Sequence, residues 1–202
     1  MDVGGKTSRW YKAYTVDDVF KVLTKEGIDS YMLVSGNTGQ GVFPLPSEPR
    51  IFIDISSITS LKESYSEGNL VLGAAMTLTE AMALFLKWSK ENEDFIYLKE
   101  FYDHLDLVAH VPVRNIGTIG GNLAMKNLHP DFPSDVFLIF ETVNAFITTV
   151  DSTLVEKNMS LKDFLKMDLK SKLIKSVKIP PLSLKCLIRT YKIMSRAQNV
   201  HA

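Results

Sequence analysis

The chain has 202 residues, 46% of them hydrophobic, with 23 Lys and Arg balancing 23 Asp and Glu. That supports a real core in one domain or two small lobes, while a net charge of zero removes the electrostatic argument for a nucleic-acid or anionic-membrane partner. Cys186 is the single cysteine, which excludes an internal disulfide and any cysteine-held metal cluster and fits a reducing compartment. The opening MDVGGKTSRW has no signal-peptide core, and no apolar run is long enough to cross a bilayer. A cytoplasmic protein is expected.

In chain order, TVDDVFKVLTKEG predicts a capped helix. Thr15 can cap it, Asp17 and Asp18 suit its positive end, and Val16, Val19, Phe20 and Leu23 repeat at helical spacing up to Gly27. SYMLVSG reads as a short strand entering a glycine loop. After the Pro-rich turn FPLPSEPR, IFIDIS reads as a second buried strand, giving a small parallel α/β unit. LVLGAAM predicts a strand and TLTEAMALFLKWSK a helix opened by a Thr77–Glu80 capping box, with Ala81, Leu84, Phe85 and Trp88 on one face. A helix is expected around YLKEFYDHLDLVA, then a glycine turn, then a helix from about Ser134. NAFITTV, SKLIKSVKI and LIRTYKIM follow as strands. Many short strands beside segregated helices predict an α+β protein.

Two stretches are unusually bare: SGNTGQG (Ser35–Gly41) and GTIGGN (Gly117–Asn122). Isolated glycine pairs are more often tight turns. Here, however, each stretch leaves an apolar segment, mixes glycine with Asn and Thr, and offers consecutive backbone N–H groups of the kind that hold phosphate. No Gly-Lys-Ser/Thr marks a P-loop, and G-x-x-G-x-G has the wrong spacing for a Rossmann fingerprint. Two such loops could close on one diphosphate from opposite sides. His104, His110, His129 and His201 have no ligand-like spacing and read as structural or surface residues.

LVSGNTGQG, AHVPVRNIGTIGGNL and HPDFPSD together resemble the FAD-binding domain of molybdo-flavoenzymes, the PCMH-type fold of aldehyde oxidases and xanthine dehydrogenases, and YKIMSRAQNVHA resembles the aldehyde oxidase branch. The resemblance runs from about Trp10 to the last residue, after a tail over 1–9. It implies the two-lobed fold shared with vanillyl-alcohol oxidases: a small parallel βα lobe (about 10–68) and a lobe with a mainly antiparallel sheet (about 69–202), with FAD between them. The implied FAD-binding set is Leu33, Val34, Ser35, Gly36, Asn37, Thr38, Gly39 and Gln40 from the first loop, and Thr118, Ile119, Gly120, Gly121 and Asn122 from the second. Asp135 matches a position that accepts hydrogen bonds from cofactor hydroxyls, although a residue opening a helix also reads as its cap. Val108 falls where some relatives place an aromatic ring, Ile174 matches an apolar position against the cofactor, and Lys192 matches a lysine near the flavin. For these last two the bland readings are core packing and a solvated strand lysine.

The resemblance implies an electron-transfer module of an aldehyde oxidase/xanthine dehydrogenase-like FAD-dependent oxidoreductase. Electrons from iron–sulfur clusters, and before them a molybdenum cofactor, would arrive from other domains of a parent enzyme and leave to oxygen or NAD. No catalytic acid, base or nucleophile and no metal ligand is expected in this chain, which reads as a fragment of a longer enzyme or as a reduced flavoprotein. Homodimerisation is left open. The alternative is a truncated, non-redox scaffold that keeps the fold with weak FAD binding or none, and a generic nucleotide binder is a third reading. Gly120→Val is expected to separate the first two by removing FAD with the fold retained.

Overall fold

The computed structural model describes residues 8–27, 30–43 and 49–192. Most of the Pro-rich turn, the end of LIRTYKIM and His201 lie outside these residues. Thr15 opens α1 (Val16–Glu26) through a reciprocal capping box with Asp18, whose carboxylate accepts the Thr15 N–H at 2.9 Å while the Thr15 hydroxyl accepts the Asp18 N–H at 3.1 Å. Val19, Phe20 and Leu23 are the buried residues of α1, as their spacing predicts, and Gly27 ends it at φ 83°. Strands β1 (Arg9–Lys12), β2 (Tyr31–Val34) and β3 (Ile51–Asp54) form a parallel sheet in the order β1-β3-β2. Ile51, Ile53 and Ala13 share a small core with the buried face of α1.

The second sheet is antiparallel throughout. Strands β4 (Ser64–Glu67), β5 (Asn69–Gly73), β6 (Phe146–Asp151), β7 (Glu156–Ser160) and β8 (Lys172–Ile179) lie in the order β4-β5-β8-β6-β7. Helices α2 (Leu78–Glu91), α3 (Leu98–Asp106), α4 (Val111–Ile116), α5 (Ile119–Leu128), α6 (Asp135–Thr142) and α7 (Leu161–Phe164) complete this part. The Thr77–Glu80 capping box of α2 is formed in both directions. Phe85, Phe101, Phe140, Leu123 and Val177 bring α2, α3, α6, α5 and β8 into one large core. Ala75, Val150 and Leu173 pack instead into the small core, and the Tyr31 hydroxyl accepts the Ser171 N–H at 2.8 Å, so the two sheets are joined at a seam. The α+β expectation holds.

Two sequence expectations are corrected. LIRTYKIM is not a strand over its described residues, Leu187–Lys192. Its alternating pattern meets no neighbouring strand, and its side chains do the anchoring: Ile188 reaches the large core, and Arg189 bonds Glu100 at 3.0 Å. The stretch GTIGGN is not a free turn either. Thr118 is the N-cap of α5, and Ile119, Gly120, Gly121 and Asn122 form the first turn of that helix.

Candidate functional site

The first bare stretch leaves the end of β2. Leu33 is partly buried against the small core and Val34 is buried. Asn37 takes a left-handed φ of 53°, tolerable for an Asn, and initiates a 3-10 turn over Thr38–Gly41. The Gln40 side chain is held by its Nε2–H donating to Met32 Sδ at 3.3 Å. Among the described residues, the N–H groups of Ser35 to Gly39 donate to no protein acceptor. Consecutive unused N–H groups beside a left-handed residue are the arrangement from which anion-binding nests are built, which makes Ser35–Gly39 the candidate nest.

The second stretch is different. Ile119 N–H donates to Met76 O at 3.0 Å, Gly120 N–H to Ala74 O at 2.7 Å, Gly121 N–H to the Thr118 hydroxyl at 3.1 Å, and Asn122 N–H to Thr118 O at 3.0 Å. The expectation that both stretches expose consecutive N–H groups is therefore corrected: in the second, all four are taken inside the protein. Its glycine serves packing. A Cβ on Gly120 would stand 2.8 Å from both the Cβ and the O of Ala74. Gly120→Val would thus strike the backbone of the turn that follows β5, and the expectation that it removes a ligand with the fold retained is corrected too.

The two stretches meet each other. A Cβ on Gly36 would run into the Ile116 carbonyl at the end of α4, 2.5 Å from its carbon and 3.0 Å from Gly117 N, and one on Gly39 would touch Met125 Sδ of α5 at 2.9 Å. The nest is thereby pressed against the end of α4 and against Met125 on α5. Arg114, which the sequence reading did not single out, sets this junction. It is 4% exposed, and its guanidinium donates to the carbonyls of Asp106, Val108 and Ala109. So Val108 contributes a carbonyl to the α3–α4 link while its side chain packs on the large core; Ile174 is buried in that core on β8.

Asp135, Lys192 and Asn122 are gathered near the start of α6. The cap of α6 is Ser134, which accepts the Phe137 N–H at 2.9 Å and bonds the Asn122 side-chain oxygen. The cap reading for Asp135 is thus settled in favour of its neighbour. Asp135 accepts from His104 Nε2 at 2.8 Å and from Lys192 Nζ at 3.2 and 3.1 Å. The Lys192 side chain is only 6% exposed, so the solvated reading of that lysine is also corrected. Burial by itself would raise the Asp135 carboxyl, but hydrogen bonds from His104 and Lys192, and the Lys192 charge, outweigh it and hold the group below the usual carboxylate range. Among the described residues no cluster of His, Cys, Asp or Glu could hold a metal, and no helix is long and apolar enough to cross a membrane.

The family described as FAD binding domain in molybdopterin dehydrogenase matches residues 6–182. The chain belongs to this family. Members of the aldehyde oxidase group align with it: indole-3-acetaldehyde oxidase of Arabidopsis thaliana is 31% identical over 96% of the chain, and abscisic-aldehyde oxidase of the same plant is 32% identical over 79%. The chain spans only 13% and 12% of the length of those two relatives. Among solved structures, carbon monoxide dehydrogenase from Hydrogenophaga pseudoflava superposes with a TM-score of 0.72 at 20% identity, covering 88% of this chain and 60% of that one. Quinoline 2-oxidoreductase from Pseudomonas putida 86 gives 0.71 at 22%, covering 94% and 65%. At such identities these two show the shared fold, in which the family's FAD-binding domain pairs a small parallel sheet with an antiparallel one.

Proposed function

We propose that this FAD-binding domain holds its cofactor between the two sheets, with the pyrophosphate in the Ser35–Gly39 nest, and works as the electron-transfer module of a larger FAD-dependent oxidoreductase in the cytoplasm. The unused N–H groups of that nest are the observation that carries the reading. Leu33, Val34 and Gln40 would frame it, and Thr118 to Asn122 would face it across the junction through small side chains and the helix dipole rather than through free N–H groups. Asp135 would accept from cofactor hydroxyls, Lys192 would place positive charge nearby, and Val108 and Ile174 would supply apolar backing. Bound FAD supplies the capacity to take electrons singly and release them as a pair. The iron–sulfur and molybdenum centres belong to other domains of the parent enzyme, the acceptor is oxygen or NAD, and the aldehyde oxidase likeness favours oxygen.

Gly41→Glu tests the nest without disturbing the fold. A Cβ there meets nothing within 4 Å, so the side chain is accommodated and adds a negative charge beside the phosphate. The purified chain is expected to be yellow and to release about one equivalent of FAD on heating, a single bound cofactor being the ordinary stoichiometry of such a site. The variant should melt like the parent but bind FAD about tenfold more weakly, equivalent to about 1.4 kcal/mol. A colourless chain that ignores excess FAD would favour the scaffold reading, in which the internally bonded second stretch and the Lys192–Asp135 pair serve packing alone. Displacement by ADP or NAD instead of FAD would mark a generic nucleotide binder.

A further inference from the structure

We propose that His104 is a positioning residue, fixing the Asp135 carboxylate at the edge of the cofactor site; this rests on the reading of the nest and Asp135 as an FAD site. His104 lies on the inward face of α3 between Phe101 and Leu105, both of which enter the large core. It is 3% exposed, and an imidazole buried among phenylalanine and leucine side chains is unfavourable unless its polar atoms are bonded. The bond it makes is the one to Asp135. Its other ring nitrogen, Nδ1, has no hydrogen-bond partner among the described residues, so the contact through Nε2 is what the ring contributes there.

The three side chains differ in exposure in a telling way. His104 and Lys192 are 3% and 6% exposed, while Asp135 is 17% exposed. The carboxylate is therefore the face the cluster presents outward, with its donors behind it. An ionised carboxylate has about four lone-pair sites. His104 and Lys192 take up part of one oxygen and Lys192 part of the other, which leaves acceptor capacity for ligand hydroxyls. The two donors also have different supports. Lys192 rides on an irregular segment, whereas His104 sits on a helix packed into the core. Lys192 supplies charge; His104 supplies a fixed direction. The Ser134–Asn122 bond next door ties the start of α6, which carries Asp135, to the first turn of α5.

The ionisable groups facing Asp135 are His104 from α3 and Lys192 from the C-terminal segment. Because the folded carboxyl is depressed, an interaction needing the anion is present above the ordinary aspartate range and is lost as pH falls through the folded value. Removing the His104 bond should move that loss to higher pH. The test compares the full 202-residue chain with His104→Phe, His104→Gln and Asp135→Asn, reading FAD affinity and, without cofactor, the carbon-13 titration of the Asp135 carboxyl. His104→Phe fills the space without a donor and should weaken FAD about tenfold, as loss of one hydrogen bond to a charged group does. It should also raise the Asp135 midpoint, while His104→Gln, which keeps a donor, restores most of both. In the Asp135→Asn background His104→Phe should cost little more. Unchanged FAD affinity in His104→Phe, or an unmoved Asp135 titration, overturns the proposal. A parent chain that binds no FAD overturns the function and this role together, and a titration that still moves would then show a purely structural contact.

Discussion

Gly36→Ala is expected to lower the melting temperature by roughly 10 °C and to strip FAD from the domain, the thermal shift following from a loss on the order of 4 kcal/mol in a chain of this size. The reason is space, since Gly36 is not among the residues at positive φ. A methyl group there is driven into the Ile116 carbonyl, with its carbon at 2.5 Å and Gly117 N at 3.0 Å. Neither partner can easily retreat. Gly117 N–H is bonded to Val113 O at 2.7 Å, and Gly117 O receives the Leu78 N–H at 2.9 Å, so the end of α4 is clamped to its own helix and to α2. The first loop must move instead, carrying the Ser35–Gly39 nest away from α5. Gly41→Ala is the control, because its Cβ meets open space, and should melt like the parent. If Gly36→Ala melts like the parent and keeps FAD, the two stretches do not touch as described.

The features legible in the sequence were those that local chemistry decides. The capping boxes of α1 and α2 and the buried faces of both helices follow from residues three and four apart, and the inner strands β5, β6 and β8 carry their apolar runs openly. Edge strands were not legible. SYSE in β4 is exposed at every position, and EKNMS in β7 is nearly so, because a strand at a sheet edge with one neighbour need not alternate. The start of α5 was missed because its glycines speak for a turn, and what makes it a helix is the Thr118 cap together with bonds to Ala74 and Met76, more than forty residues upstream. The site followed the same division. The bare stretches announced a close approach but not what approaches: the first leaves N–H groups open, and the second packs against the turn between β5 and α2. His104 and Asp135 stand 31 positions apart and Lys192 is 57 beyond Asp135, so only the tertiary fold brings them together.

Arg114→Met is expected to destabilise the domain by about 3–4 kcal/mol and to weaken FAD binding with it, an estimate drawn from the cost of leaving buried carbonyls without donors. One guanidinium nitrogen gathers three carbonyls of the α3–α4 link, from Asp106 at 3.0 Å, Val108 at 2.9 Å and Ala109 at 3.3 Å. Ala109 sits at φ 52°, a conformation unfavourable for a residue with a Cβ unless its surroundings hold it there. Methionine keeps the apolar stem of the side chain and removes every donor, so the carbonyls lose their partner and Ala109 loses its restraint. The link is short, and α4 begins directly after it and ends against Gly36. A loosened link therefore displaces the surface on which the nest rests. Arg114→Lys should recover only part of the loss, because an ammonium at the end of a flexible stem cannot reproduce the planar fork. The second nitrogen bonds the Asp106 carboxylate at 3.1 Å, but that side chain is 48% exposed, so water screens the carboxylate's share of the pair, and an Asn there can still accept the guanidinium hydrogen bond. Asp106→Asn should accordingly be much milder than either Arg114 variant, and added salt should not reproduce their effect. Denaturant unfolding of the three variants, read beside FAD affinity, decides it: if Arg114→Lys matches the parent, charge alone suffices and the carbonyl clamp is not what holds α4 in place.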